Sequence, residues 1–144
     1  MLVRDIINTK GQKVVTLKRE NSLQEAANAM TANKIGAVVV TDEKNSPVGI
    51  FTERDLMRTG AKRSDSLRDI RLDEEMTEDV FVCLPDEDLE SVLAMMSEKR
   101  LRHMPVFEGG EMIGIVSSGD IVRALLQQHK YEIHHLRDYI SGKY

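Results

Sequence analysis

The chain has 144 residues, of which 41% are hydrophobic and 31% charged, the balance of an ordered globular chain rather than a disordered one. Its net charge of −4 and its scattered basic residues exclude the basic stripe that binds double-stranded nucleic acid. The apolar runs are too short for a membrane span, the N-terminus lacks a signal-peptide pattern, and one cysteine excludes a disulfide framework. We therefore expect a cytoplasmic protein.

Two copies of one pattern fill most of the sequence, offset by 66 residues over 14–42 and by 65 residues from Gly49 onward. Leu23 then matches Leu89, and the motif at Gly49 matches the motif at Gly114. Two copies of about sixty residues are too few and too long for a solenoid. The repeat instead predicts two half-domains related by a pseudo-two-fold axis, because each half alone would bury too little surface.

The first copy, residues 1–62, is expected to start with an N-terminal linker strand, and residues 14–17 form a short apolar strand. Residues 22–25 read S-L-Q-E, a capping box, and apolar residues at helical spacing from Leu23 predict a helix. Two strands follow, 35–40 and 48–51, around a polar turn. A second helix is expected to begin at Thr52.

The second copy, residues 76–127, repeats this order. Residues 80–84 are apolar and extended, and a helix follows with the same spacing from Leu89. Strands 104–107 and 112–116 flank E-G-G-E, a hairpin pattern, and a helix begins at Ser117. The order β-α-β-β-α, twice, predicts an α+β fold. Residues 63–75, polar and weakly periodic, are expected to form the linker.

The last helix is expected to be long. A helix from Gly119 to Ser141 would span about 34 Å, more than one half-domain needs. We therefore expect residues 128–144 to form a C-terminal helical extension, part of which packs on a second chain. We call its apolar seam the series of residues spaced three or four positions apart, which are Val122, Leu125, His129, Ile133, Leu136 and Ile140.

The motifs G-I-F-T-E-R-D at Gly49 and G-I-V-S-S-G-D at Gly114 resemble the G-[hydrophobic]-x-[ST]-x-x-D signature of CBS (cystathionine-β-synthase) domains. Residues 35–40 and 102–106 resemble the strand that precedes this signature. The resemblance covers about residues 2–127, and the tandem pair is similar to a Bateman module. Residues 100–105 read R-L-R-H-M-P, like the R-x-R-H-x-P string of small stand-alone CBS-pair proteins.

The resemblance implies that adenosine derivatives bind in the cleft between the two halves. For one ligand, the ribose is expected at Ser117 and Asp120, and the phosphates at Arg102 and His103. The family pattern assigns the adenine of that ligand to Thr16, Ile35, Gly36 and Ala37.

For a second ligand, the resemblance assigns the ribose to Thr52 and Asp55 and the phosphate to Arg54 or Lys34. The adenine of that ligand is assigned to Val82, Cys83 and Met104. The two sites are not equivalent, and we expect the Asp120 site to bind more tightly because two adjacent basic side chains can meet a phosphate there.

Simpler structural readings exist for the same residues. A hydroxyl followed three residues later by a carboxylate is also a helix capping box, and only the duplication and the resemblance favour ribose binding. Cys83 fits a small buried hydrophobe. His129, His134 and His135 match no known metal-ligand spacing, so no metal is expected.

No Walker, H-E-x-x-H or G-x-S-x-G motif is present, so we expect no enzyme activity. The leading hypothesis is a regulatory module that senses AMP, ADP, ATP, NAD or S-adenosylmethionine, acting as a homodimer on an unidentified protein effector. The alternative is a dimeric scaffold with degenerate nucleotide sites. Plant organellar relatives of the family, which are linked to thioredoxin regulation, suggest a third role.

Overall fold

The computed structural model describes residues 1–11 and 14–141. The chain divides into two compact units. The first-repeat unit is Lys13–Phe81, and the second-repeat unit combines Met1–Gln12 with Val82–Tyr144. In chain order the elements are α1 Val3–Lys10, β1 Thr16–Lys18, α2 Leu23–Asn33, β2 Ala37–Thr41, β3 Pro47–Thr52, α3 Glu53–Lys62, a 3₁₀ turn Leu67–Asp69, α4 Leu72–Glu75, α5 Leu89–Lys99, β4 His103–Glu108, β5 Glu111–Ser117 and α6 Ser118–Ser141.

The first-repeat unit contains a three-stranded sheet in the order β1-β2-β3, with β1 parallel and β3 antiparallel to β2. Helix α2 begins where predicted, because the Ser22 hydroxyl accepts a hydrogen bond from the backbone N–H of Glu25 at 3.1 Å. It ends at Lys34, which adopts a left-handed conformation with φ of 54°. Its apolar face packs with Val38 and Phe51 of the sheet in one core.

Residues 63–75, expected to form the linker, lie within the first-repeat unit and contribute to its core, which corrects that expectation. The side chains of Ile70 and Leu72 are fully buried in its core. Backbone N–H groups of Leu23 and Leu72 donate to the carbonyls of Ile70 and Asn21. Two buried apolar residues among charged neighbours are too few to produce a periodic pattern.

The second-repeat unit is built on the predicted hairpin of β4 and β5. Gly109 and Gly110 form its turn with φ of 60° and 82°, a conformation that side-chain-bearing residues rarely adopt. The extended stretch predicted at 80–84 contains no regular strand, only an isolated parallel bridge between Cys83 and Val106. The β-α-β-β-α order is therefore complete in the first repeat and reduced at its first strand in the second.

The N-terminal strand prediction is wrong, because residues Val3–Lys10 form helix α1. Val3, Ile6 and Ile7 recur at helical spacing and are buried in the core of the second-repeat unit. A Cβ on Gly114 would lie 2.5 Å from Cδ1 of Ile7. A Cβ on Gly49 would lie 2.5 Å from Sδ of Met76. The glycine of each repeated motif therefore makes room for an apolar side chain of its own unit.

Helix α6 confirms the expected long C-terminal helix, with 24 residues. Ile121 is fully buried, and Ala124 and Leu125 pack against the core of the second-repeat unit. The side chains from His129 onward are exposed, except that of Asp138, which is half-buried. The last residues of the predicted extension, 142–144, lie outside the described residues.

Candidate functional site

In the second-repeat unit, four predicted site residues meet where β5 ends and α6 begins. His103 pairs with Ser117 across the hairpin. The backbone N–H of Ser118 donates to the carbonyl of Arg102 at 2.8 Å, which fixes Arg102 beside the start of the helix. The side chain of Arg102 is exposed and that of His103 is half-buried.

Ser117 and Asp120 form a reciprocal cap at the start of α6. The backbone N–H of Asp120 donates to Oγ of Ser117 at 3.0 Å, and the N–H of Ser117 donates to Oδ2 of Asp120 at 2.9 Å. The motif therefore forms a helix capping box, as its simpler structural explanation predicts. The cap uses Oδ2 of the carboxylate and leaves Oδ1 to other donors.

Two cations hold the Asp120 carboxylate. Nζ of Lys10 lies 2.7 Å from Oδ2, and Nη2 of Arg123 lies 2.7 Å from Oδ1. The Asp120 side chain is 14% exposed, whereas that of Arg123 is 73% exposed. The contact at Oδ1 therefore belongs to a solvated side chain that can be displaced at little cost, because an exposed ion pair contributes little stability.

The balance of burial and charge keeps Asp120 ionised. Burial raises its pKa, but the hydrogen bonds from the Lys10 ammonium and the Ser117 N–H outweigh that effect, so the pKa lies below the ordinary value. A depressed pKa means that the folded state gains stability from this carboxylate above pH about 3.9 and loses it as the pH falls through the folded pKa.

Replacing Lys10 with methionine is expected to raise the pKa of Asp120 towards its ordinary value or above it. The carboxylate would keep its desolvation while losing the less exposed of its two cations. A ¹³C NMR titration of the carboxyl carbons measures this directly. Lys130→Met, which removes an exposed cation from the same helix as Asp120, is the matched control and should leave the titration unchanged. An unchanged Asp120 pKa in Lys10→Met would contradict the ion pair.

A cavity of about 270 Å³ opens beside this carboxylate, within the second-repeat unit. Charged groups of Lys10, Asp120 and Arg123 line one part of it, and apolar atoms of Ile6 and Ala124 line another. Lys10 and Arg123 were not among the predicted site residues. Arg123 lies one helical turn after Asp120 and could have been found by that spacing. Lys10 could not, because 110 residues separate it from its partner.

The first-repeat unit carries the same cap at the start of α3. The N–H and hydroxyl of Thr52 donate to Oδ2 of Asp55 at 3.0 and 3.1 Å, and the N–H of Asp55 donates to Oγ1 of Thr52 at 3.2 Å. Ala37 pairs with Thr52, and the carbonyl of Gly36 accepts from the N–H of Glu53 at 3.0 Å. Among residues 1–11 and 14–141, we find neither an ion pair to Asp55 nor a hydrogen bond to its Oδ1.

A second cavity, of about 510 Å³, lies in the first-repeat unit, where Glu53 at the start of α3 lines it but Thr52 and Asp55 do not. Lys34, Ile35, Gly36 and Glu53 contribute to its lining. The family pattern divided these residues between two ligands, with Lys34 at a phosphate and Ile35 and Gly36 at an adenine, and the structure brings them to one cavity. Arg54 is half-buried in the first turn of α3 and is not part of this lining.

The remaining residues assigned to adenine differ in exposure. Thr16 is exposed on β1 and Val82 is exposed ahead of α5, whereas Ala37 is buried. Cys83 and Met104 belong to the core cluster of the second-repeat unit, with 1% and 0% of their surface exposed. Their side chains therefore pack inside the unit, and the N–H and carbonyl of Cys83 already bond to the carbonyl of Pro105 and the N–H of Phe107.

Burial raises the pKa of Cys83 to about 12, with a smaller contribution from Glu87. The thiol is therefore protonated at neutral pH and is a poor nucleophile. We expect the native protein to react with iodoacetamide at least about 100-fold more slowly than a free cysteine, and to react fully once unfolded in urea. Mass spectrometry of the alkylated protein measures this. Rapid labelling of the folded protein would contradict the burial.

The described part of the chain contains no cluster of three or more histidine, cysteine or acidic residues that could hold a metal ion. Of the helices in residues 1–11 and 14–141, none is both long and apolar enough to cross a bilayer.

Comparison with known proteins identifies the repeated unit. The sequence profile of the CBS domain matches residues 3–62 and 67–127. A mitochondrial CBS domain-containing protein of Arabidopsis thaliana is 31% identical over 150 residues, which span 99% of this chain and 73% of that protein. A CBS-domain containing protein from Agrobacterium tumefaciens, known from its crystal structure, has a TM-score of 0.82 and 40% identity, covering 86% of this chain and 98% of that one.

A second similar structure contains ligands. The CBS domain pair of protein MJ0100, solved in complex with 5′-methylthioadenosine and S-adenosyl-L-methionine, has a TM-score of 0.77 and 28% identity, covering 89% of this chain and 98% of that one. Each profile match contains one of the two repeated glycine motifs, and together the matches span most of the sequence. The chain is therefore a tandem pair of CBS domains and belongs to the CBS domain family.

Proposed function

We propose that this CBS pair is a regulatory module that binds adenosine derivatives through the carboxylates of Asp55 and Asp120. One observation carries the proposal: in both repeats the helix cap uses Oδ2 of the carboxylate. In both repeats Oδ1 lies outside the cap. Oδ1 of Asp120 bonds to the exposed Arg123, and no described residue bonds to Oδ1 of Asp55. Neighbouring ribose hydroxyls can donate to such an oxygen, and bonds to an ionised acceptor are strong.

The hydroxyls of Ser117 and Thr52 complete each proposed ribose contact. Each accepts a bond from the backbone N–H of its aspartate and lies within about one helical turn of the carboxylate. The start of α3 or α6 also presents the positive end of a helix dipole, which favours the anionic part of a nucleotide.

The charges favour tighter binding at Asp120. Lys10 and Arg123 contact this carboxylate, and Arg102 and His103 stand beside the same helix start. We propose that these cations turn to the phosphates when a ligand occupies the carboxylate. Lys34 and Arg54 take this role near Asp55, where the described residues form no ion pair with the carboxylate.

We propose that adenine contacts come mainly from small or apolar residues and from backbone groups. Ile35 and Gly36 line the 510 Å³ cavity, while Thr16 and Val82 are exposed. Ala37 and Met104, whose side chains are buried, would contribute backbone atoms. Cys83 would contribute only van der Waals contact, because its N–H and carbonyl bond to Pro105 and Phe107. A flat base fits apolar surface with N–H and C=O groups at its edge.

We further propose that the module regulates rather than catalyses, because the carboxylates of the two repeated motifs, Asp55 and Asp120, form helix caps. Two copies of the chain would associate, and an effector protein would recognise the arrangement that the ligand favours. A ligand shifts such an equilibrium only by its difference in affinity for the two arrangements.

A thermal-shift panel with AMP, ADP, ATP, NAD and S-adenosylmethionine tests the binding proposal. A ligand at 100 times its Kd should add about 2.7 kcal/mol to the stability of the protein. Guanosine and cytidine nucleotides at equal concentration serve as controls and should have no effect.

The second candidate function is a scaffold whose nucleotide sites are degenerate. The observation that favours it is that Oδ2 of both aspartates is already used in a helix cap. It predicts a folded protein whose melting temperature is insensitive to all five ligands, so the same panel separates the two functions.

A further inference from the structure

The exposed aliphatic residues of α6 form a single narrow stripe. Five large aliphatic residues of this helix are 41% to 76% exposed and, with one histidine, are spaced alternately by four and three positions. This is the 3.5-residue period of a coiled coil rather than the broader face of a helix that packs on its own domain. The stripe consists of Val122, Leu126, His129, Ile133, Leu136 and Ile140.

The structure corrects the sequence-based seam at one position. Leu125, which the spacing placed in the seam, packs against the core of the second-repeat unit. Leu126 is 63% exposed and takes its place. The correction turns an irregular series into an unbroken heptad pattern, with Leu126, Ile133 and Ile140 at the a positions and Val122, His129 and Leu136 at the d positions.

The exposed half of α6 needs a partner to be a stable helix. Beyond His129 every described side chain except that of Asp138 is exposed, and the pairs within the helix are weak, such as His134 with Asp138 at 3.4 Å. A helix of this length without tertiary packing is marginal in water. Between Val122 and Ile140 the stripe is about 27 Å long, which is enough for nearly three heptads of packing.

The flanking charges select a second copy in the parallel orientation. Arg123, Lys130 and Arg137 occupy the e positions, and Glu132 occupies a g position. In a parallel pair, Glu132 of one chain faces Arg137 of the other, which is attractive. In an antiparallel pair the e positions face one another, which brings basic side chains together. Isoleucine at a positions with leucine at a d position also favours two parallel strands.

The same charges disfavour a membrane surface as the partner. Three basic residues of α6 are balanced by three acidic ones, whereas helices that lie on anionic bilayers have an excess of basic residues. These residues are Arg123, Lys130, Arg137, Asp120, Glu132 and Asp138.

We propose that residues 122–140 of α6 pair with the same residues of a second copy as a parallel two-stranded coiled coil. This inference gives an interface to the homodimer proposed above, and it is independent of whether a nucleotide binds. His129 lies at the central d layer, where a polar residue fixes the register at some cost in stability.

Sedimentation equilibrium of the full chain tests the interface. Ile133→Glu is expected to weaken dimerisation about 100-fold or more, because it places two unpaired carboxylates at one apolar layer. Tyr131→Glu, an exposed position of the same helix outside the stripe, is the matched control and should change the dissociation constant less than about threefold. Both positions are exposed, so neither change disturbs the core of the unit.

A charge exchange tests the parallel orientation. Glu132→Lys and Arg137→Glu should each weaken the dimer, and the double variant should restore it, since only a parallel pair joins these two positions. A wild-type dimer that Ile133→Glu leaves intact would overturn the coiled coil but not the homodimer. A monomeric wild-type chain at micromolar concentration would overturn both. A monomer that sediments with phosphatidylserine vesicles would assign the stripe to membranes instead.

Discussion

Asp120→Asn is expected to weaken the binding of the tightest adenosine ligand about 100-fold, because two charge-assisted hydrogen bonds to ribose become neutral ones. Asparagine keeps the size of the side chain and one carbonyl oxygen, so the cap at Ser117 is weakened rather than removed. Isothermal titration of the variant with that ligand gives the change in Kd.

Two aspartates provide controls for this result. Asp86→Asn removes an exposed carboxylate of the same unit, which pairs with Arg4 at 2.9 Å, and should leave the Kd unchanged. Asp55→Asn should reduce the number of bound ligands or the affinity of the weaker site, since fewer cations surround it. Equal losses in Asp86→Asn and Asp120→Asn would show that net charge, not the helix cap, governs binding.

Leu72→Ala is expected to lower the free energy of unfolding by about 2–5 kcal/mol, the usual cost of a cavity at a fully buried leucine. The effect is large for a residue in a segment whose sequence resembles a solvated linker. Leu72 packs with the core of the first-repeat unit, and its N–H donates to the carbonyl of Asn21 at 2.8 Å. Urea denaturation measures the total change.

Hydrogen exchange locates this destabilisation. Protection should fall in β2 and β3, which share the core with Leu72. Arg68→Ala, an exposed change in the same segment, should stay within about 0.5 kcal/mol of the wild type. A Leu72→Ala chain as stable as Arg68→Ala would mean that this segment does not belong to the folded unit.

Much of the fold could be predicted from the sequence, because the same pattern of elements is found in both copies of the repeat. Helix α2 and its cap at Ser22, the hairpin at Gly109, and the helix starts after Thr52 and Ser117 follow from local patterns, and the structure confirms them. The CBS resemblance rested on the two glycine motifs, and the family profile confirms it on both repeats.

The features of the fold and of the site that the sequence did not predict depend on contacts between residues distant in sequence. Helix α1 was expected as a strand because eight residues give a weak periodic pattern, and its packing in the second-repeat unit has no local trace. The contact between Lys10 and Asp120 likewise has no local trace, because 110 residues separate the two. Leu125 and Leu126 are adjacent leucines, and only the core of the second-repeat unit decides which one is buried. The assignments of ribose, phosphate and adenine remain predictions.

Calorimetric titration of the full chain with AMP, ADP, ATP, NAD and S-adenosylmethionine measures whether Asp55 and Asp120 bind an adenosine ligand. Our expectation is that at least one of the five binds with micromolar or tighter affinity, and that this binding disappears in a chain carrying both Asp55→Ala and Asp120→Ala. A folded wild-type protein that binds none of the five, or a double variant that binds as the wild type does, would contradict it.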